Sequence, residues 1–249
     1  MIDNKRILGI IPARLESSRM HHKPLFKVYG IPLVEHVYRR AIKSTVLDDI
    51  IVAADSQIIV DHIESIGGRA MLTSKLHKNP TERMFEVMRS HKYDYYTLIN
   101  GDEILLNPNS IEVSIRALFE SDCDVSILAV PFTHKNSPSD FKIVLNLKNE
   151  VMYISRNDIP SDFRNPVNSY LKAYHLMTFS PEILKIYSEL SKSPLEKVED
   201  HEHLRLLENG YTIIAKIVHD ECISLDTLED VKIIESLLIN DPLYKEYCN

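Results

Sequence analysis

The sequence predicts an α/β fold, a doubly wound, mainly parallel mixed sheet with a hairpin region inserted in its second half. Three observations predict it. Over about the first 130 residues, short apolar runs rich in β-branched side chains alternate with amphipathic stretches at helical spacing. Two of those runs open directly into charged loops, Pro12-Ala13-Arg14 and Gly101-Asp102-Glu103, at the strand ends where open α/β sheets carry ligands. Further on, residues 142–147 and 151–155 flank Lys148-Asn149-Glu150, which reads as a hairpin.

Each element follows from its pattern. Residues 7–11 and 50–54 are continuous apolar runs, as strands buried on both faces should be. Between them, Val34, Val37, Tyr38 and Ala41 form one helical stripe within residues 32–43. Residues 56–66 repeat the pattern with Ile58, Ile59, Ile63 and Ile66, and Gly67-Gly68 ends that helix. Residues 70–73 read as a short strand, 81–90 as a helix, 95–99 as a strand, 109–120 as a helix and 125–131 as a strand. After the hairpin, residues 170–179 read as a strand, 181–190 and 195–209 as helices, 211–217 as a strand and 226–238 as a closing helix. One domain over residues 1–249 is expected, with about 132–190 as the insert.

Composition narrows the function. With 29 Lys+Arg against 36 Asp+Glu, the net charge is −7, which argues against a broad duplex nucleic-acid face but leaves room for a small phosphate ligand. Three scattered cysteines suggest neither a disulfide framework nor structural zinc, and a cytoplasmic location is expected. No apolar stretch approaches the ~18 residues of a membrane span.

Three motifs carry chemistry. The first strand opens into Ala13, Arg14, Ser17, Ser18 and Arg19, followed by Lys23-Pro24-Leu25. Backbone N–H groups and three cations so close together suit a triphosphate, although a solvated basic loop has the same composition. Neither a Walker A loop nor a GxGxxG turn is present. The second motif places Asp102 just past a buried strand, where a carboxylate can hold a hard divalent cation against phosphates; an ordinary polar turn is the alternative. The third is Asp226, which reads either as the cap of the last helix, with Glu229 three residues on, or as a second metal ligand. His201 and His203 read as packing or solvated residues, and Tyr93, Tyr95 and Tyr96 as strand and packing residues. Arg156 could fork onto a carboxylate or form a surface salt bridge.

Taken in order, the segment 10–25, Thr81-Glu82-Arg83, Gly101-Asp102-Glu103, Ile154-Ser155-Arg156, Pro194-Leu195-Glu196 and Asp226-Thr227 give the chain a family resemblance. It resembles the 3-deoxy-manno-octulosonate cytidylyltransferases (CMP-Kdo synthetases) from residue 7 to about 234, and is more distantly similar to CMP-sialate synthetases. The resemblance implies a GT-A-like, Rossmannoid nucleotidyltransferase fold. It also implies a Mg²⁺-dependent enzyme of lipopolysaccharide synthesis that transfers CMP from CTP to an acidic sugar and releases pyrophosphate. Ala13, Arg14, Ser17, Ser18, Arg19, Lys23 and Arg83 would bind CTP, and Asp102 and Asp226 would hold Mg²⁺. Arg14, Lys23 and Asp102 would carry catalysis, Arg156 and Glu202 would meet the acceptor, and the insert would bind sugar and support a homodimer.

The departures fall on the sugar side. Asn100 and Ile104 flank GDE where the family has Gln and Pro, and Pro80 replaces the glycine before TER. Ala173 to Phe179 lacks a polar His and an aromatic hydroxyl of the family's strand, and His203 follows Glu202 where the family has Gln. A different acceptor is therefore kept open, as is a non-catalytic nucleotide-binding protein. A glycosyltransferase is disfavoured because GDE is not a DxD motif.

Overall fold

The computed structural model describes residues 2–16 and 20–248. The chain divides into two compact units, residues 1–111 with 221–249, and residues 112–220.

The first unit begins with β1 (Ile7–Ala13), a run almost wholly buried. A 3-10 turn (Lys23–Leu25) leads into a two-rung ribbon, β2 (Lys27–Val28) and β3 (Ile31–Pro32). Then come α1 (Leu33–Ala41), β4 (Asp49–Ala54), α2 (Gln57–Ser65), β5 (Ala70–Leu72), α3 (Pro80–Ser90) and β6 (Tyr95–Ile99). The strands pair in the order β6-β1-β4-β5, all parallel, with Ile10 of β1 opposite Ile51 on one side and Leu98 on the other. Continuous apolar runs are what a parallel strand covered on both faces requires. In α2 the buried stripe is Ile59, Val60 and Ile63, while Ile58, expected inward, is 56% exposed.

Helix α4 (Pro108–Phe119) leads into the second unit, which holds β7 (Val125–Phe132), β8 (Lys142–Leu145), β9 (Val151–Ser155) and β10 (Tyr170–Phe179). Its helices are α5 (Pro181–Glu189), α6 (Pro194–Glu199) and α7 (Leu204–Glu208), and its last strand is β11 (Ile213–Ile217). Strand β7 pairs parallel with β11 and antiparallel with β10, and the β8–β9 hairpin joins β10 through β8. In the hairpin turn Asn149 is left-handed (φ 63), and the Asn146 carboxamide accepts from the backbone N–H groups of Lys148 and Glu150. The α/β, mainly parallel class expected from the sequence is therefore the class observed.

The single helix expected over 195–209 is instead two, broken at Asp200, which is left-handed (φ 53). The ion pair between Glu196 and Arg205 gives the reason. At 100° per residue, positions nine apart lie on opposite faces of a continuous helix. The break folds α7 back so that both carboxylate oxygens of Glu196 accept from Arg205, at 2.8 and 2.6 Å. Both side chains are about 95% buried. Glu196→Ala leaves that guanidinium without its partner, and a loss of about 3–5 kcal/mol is expected in denaturant melts.

The break also places His201 and His203 in a turn, where they pack with His175 of β10. The Nε2 atoms of His175 and His201 lie 2.9 Å apart, one ring donating to the other. Burial, reinforced by neighbouring histidines and by Arg156 at His201 and Arg205 at His203, holds both imidazoles well below their ordinary value. The unfolded chain then binds more protons below pH 6.5, so stability is full above that pH and falls as pH drops through it. The slope limit is about 1.4 kcal/mol per pH unit per group. Thermal melts from pH 7.5 to 5.5 should show a falling Tm, and His201→Leu should flatten that dependence.

The chain returns to the first unit with α8 (Leu228–Leu238) and α9 (Pro242–Tyr247). Thr227, not Asp226, caps α8, in a box with Asp230. Asp241 caps α9 and accepts from both terminal guanidinium nitrogens of Arg40 at 3.0 Å. Leu33, Ile104, Leu225, Ile234 and Leu238 form the core that joins α1, the loop after β6 and α8. Among the described residues, no helix is long and apolar enough to cross a membrane.

Candidate active site

In the first unit, the loops after β1 and β6, the start of α3 and the segment before α8 line one cleft of about 300 Å³. At its centre lies the Lys23 ammonium. It donates to Asp102 Oδ2 and to Asp226 Oδ1, each at 2.8 Å, although Asp226 lies 203 positions away in sequence. Lys23 is 13% exposed, and the two carboxylates 28% and 15%. Burial favours the uncharged amine, but the two carboxylates outweigh it and hold the Lys23 pKa above its ordinary value. The cation is therefore fixed, with two acids converging on one point.

Local structure explains each position. His22 adopts a left-handed conformation (φ 51), and the 3-10 turn that follows, with Pro24 buried, anchors the Lys23 stem. At Gly101 a Cβ would sit 2.6 Å from the Pro12 carbonyl oxygen, so only glycine lets the loop after β6 pass against β1. Gly101→Ala must displace that backbone, and a loss of about 1–3 kcal/mol is expected, read as a lower denaturation midpoint together with weaker nucleotide binding.

Asp226 is held by stitches between its segment and the GDE turn. Leu225 N–H donates to the Asp102 carbonyl at 3.2 Å. Buried Glu103 accepts from the Ser224 hydroxyl at 2.7 Å, with the Cys222 thiol also beside it. Because Thr227 provides the helix cap, the Asp226 side chain is available to Lys23. Of the two readings of Asp226 made from sequence, the cap reading is wrong by one residue.

A third carboxylate, Asp55, was not singled out from the sequence. It follows β4 as Asp102 follows β6, a buried strand running into an acidic residue, and that signal was there to be used. Its Oδ1 accepts from Leu15 N–H at 2.9 Å and its own N–H donates to the Ala13 carbonyl at 3.2 Å, which fixes the start of the loop carrying Arg14. Its Oδ2 lies 3.8 Å from the Arg83 guanidinium, which also donates to the Thr73 hydroxyl. Arg83 is 4% exposed, and burial lowers its pKa against the opposing pull of Asp55 and Glu86. Pro80, in place of the family's glycine, is the first residue of α3, and Asn79 caps that helix by accepting from Glu82 N–H. Pro at that position costs no helical hydrogen bond.

The structure thus gathers Ala13, Arg14, Lys23, Arg83, Asp102 and Asp226 along one cleft. Ser17, Ser18 and Arg19 lie outside the described residues. Arg156 and Glu202 belong to the other unit. There Arg156 donates to the carbonyls of Pro138 and Glu199, pairs with Asp200 and stacks on Phe141, while Glu202 faces His203 at 3.5 Å. These partners of Arg156 are all internal to its unit, so a sugar carboxylate would have to share a guanidinium already engaged.

Cations after β1 and a carboxylate pair, gathered in one cleft beside a parallel sheet, are an arrangement suited to phosphoryl chemistry of the nucleotidyltransferase type. The comparisons agree. Residues 8–217 match the family model described as cytidylyltransferase. The chain is 36% identical to the mitochondrial 3-deoxy-manno-octulosonate cytidylyltransferase of Arabidopsis thaliana, over 94% of this chain and 83% of that one. It is also 36% identical to the 3-deoxy-manno-octulosonate cytidylyltransferase of Fusobacterium nucleatum, over 91% and 94%. A solved structure of CMP:2-keto-3-deoxy-manno-octonic acid synthetase complexed with CTP superposes with a TM-score of 0.88 at 29% identity, covering 94% of this chain and 98% of that one. The chain belongs to the cytidylyltransferase family.

Proposed function

We propose that this protein transfers CMP from CTP to the anomeric hydroxyl of Kdo or a Kdo-like acidic sugar, releasing pyrophosphate, with Mg²⁺ held by Asp102 and Asp226. The observation that carries the reading is the convergence of Asp102 and Asp226 on one cation inside a cleft lined by Arg14, Lys23 and Arg83. Two carboxylates aimed at a single positive charge are a donor set that fits Mg²⁺, which completes its shell with phosphate oxygens and water. When bound, Mg²⁺ supplies charge neutralisation at the phosphates and lowers the pKa of a coordinated hydroxyl.

This chain's own residues do the rest. The Lys23 ammonium, on a flexible stem with rotatable donors, is the group that exchanges its carboxylate partners for phosphate oxygens as nucleotide enters. Arg14 meets the outer phosphates, and Asp55 orients both the Arg14 loop and Arg83. The sugar hydroxyl oxygen bonds to the α-phosphorus and gives up its proton to solvent water. The bond from that phosphorus to the bridging oxygen of the leaving pyrophosphate breaks. Such displacement needs positioning and charge compensation, and no covalent enzyme intermediate. By the same reading the protein is a cytoplasmic homodimer in surface polysaccharide synthesis, as the resemblance implies.

A second reading keeps CTP and changes the acceptor. It is favoured by Ala173 and Phe179, both buried, at positions where the family's strand carries a polar His and an aromatic hydroxyl. Sites built for particular hydroxyls discriminate strongly, so the two readings separate in an acceptor panel. ³¹P NMR of CTP with Mg²⁺ and each acidic sugar reports the product. A new CMP phosphodiester with Kdo supports the first reading; one formed only with another acidic sugar supports the second; CTP left intact with all of them overturns both.

A further inference from the structure

We propose that Glu16, His21 and His22 form a separate site for a borderline first-row divalent cation of the Zn²⁺ type. Their ligand atoms, one from each residue, all lie within 4.8 Å of one another. His21 Nδ1 is 3.7 Å from Glu16 Oε2, and His22 Nε2 is 3.8 Å from Glu16 Oε1. Consecutive side chains on an extended backbone point to opposite sides. Here His22 is left-handed, and the two rings stack with centroids 3.9 Å apart and planes at 26°, presenting both imidazoles to one carboxylate.

The chemistry separates this cluster from the carboxylate pair. Two imidazole nitrogens and one carboxylate oxygen suit Zn²⁺, Co²⁺ or Ni²⁺, whereas Asp102 and Asp226 offer oxygen alone, the preference of Mg²⁺. Two His and one Glu with an open fourth position make a recurrent tetrahedral zinc set. The side chains are 74%, 48% and 71% exposed for His21, His22 and Glu16, so their rotamers are free to draw the donors to ~2.0–2.2 Å from an ion.

Occupancy has a consequence that rests on the function proposed above. Glu16 also lines the cleft, where its negative charge faces the place of an anionic nucleotide. A cation bound by Glu16 and the two histidines offsets that charge, so Zn²⁺ strengthens CTP binding. The effect is small, about two- to fivefold, because an exposed charge is strongly screened.

The test is calorimetric titration of Zn²⁺ into the full chain with Mg²⁺ in excess. Wild type is expected to take about one Zn²⁺ with micromolar affinity, and Glu16→Gln and His22→Asn should each weaken it at least tenfold. Asparagine tolerates the left-handed backbone, so His22→Asn removes the ligand without straining the turn. Absence of Zn²⁺ binding in wild type, or unchanged affinity in both variants, overturns the site. CTP titration with and without Zn²⁺ then reads the coupling. Tightening in wild type and none in Glu16→Gln supports it, and equal affinity in wild type overturns it. A protein that binds Zn²⁺ as expected but no CTP under any condition overturns the coupling and the functional reading, and leaves the site standing.

Discussion

Asp102→Ala lowers the rate of pyrophosphate release from CTP and Kdo by about 10²-fold or more, the scale of losing one electrostatic group aimed at the transition state. The expectation comes from position. Asp102 stands at the end of a buried strand, its loop held against β1 by Gly101, and it shares one cation with Asp226. The variant should bind metal-free CTP as well as wild type or better, because one negative charge beside the phosphates is gone. That divergence separates a catalytic loss from a folding defect, which would weaken both. Steady-state assays beside CTP titrations in chelator make the comparison, and a nearly normal rate would remove Asp102 from the mechanism.

Lys23→Met has the second large effect, and it acts on stability as well as on rate. Methionine keeps most of the length of the side chain and removes the charge between two carboxylates that are mostly buried. Breaking a buried ion pair from one side leaves the other charge uncompensated, here on two acids, and costs about 3–5 kcal/mol. Some solvent reaches the site, so a loss near the lower end is expected, with kcat/KM for CTP down about 10²-fold or more. Added Mg²⁺ should raise the Tm of Lys23→Met more than that of wild type, because a cation between Asp102 and Asp226 restores the missing charge. Equal Mg²⁺ shifts in the two proteins would mean that the carboxylates do not share an ion.

Much of the fold was legible because its central strands obey one rule. β1 and β4 carry uninterrupted apolar runs at residues 7–11 and 50–54, and β6 is apolar or aromatic except for Thr97. The break between α6 and α7 was hidden because residues 199–203 contain neither Gly nor Pro to mark a stop, while its cause is a left-handed Asp200 and an ion pair across the break. Helix α9 was missed because it has no fully buried residue, so the only local trace was the cap Asp241-Pro242. The cap of α8 was placed one residue early because Asp226 and Thr227 are both good caps, and only the claim of Lys23 on Asp226 decides between them.

Within the site, motif order supplied Arg14, Lys23, Arg83, Asp102 and Asp226, but no local pattern states that residues 203 positions apart meet. Tertiary structure contributes that, along with Asp55, whose role lies in partners drawn from β1, the loop after it and α3. Arg156 was read either as a fork for a carboxylate or as a surface salt bridge; its pairing with exposed Asp200 matches the second, while its local sequence shows none of its other partners, Pro138, Phe141 and Glu199.

The most direct test of the account is pyrophosphate release with Kdo and each of the four nucleoside triphosphates in turn, with Mg²⁺ and again with chelator. The account predicts release with CTP, Kdo and Mg²⁺ together, and none when any one of the three is withheld. Release that persists in chelator, or that proceeds equally with the other triphosphates, would contradict it.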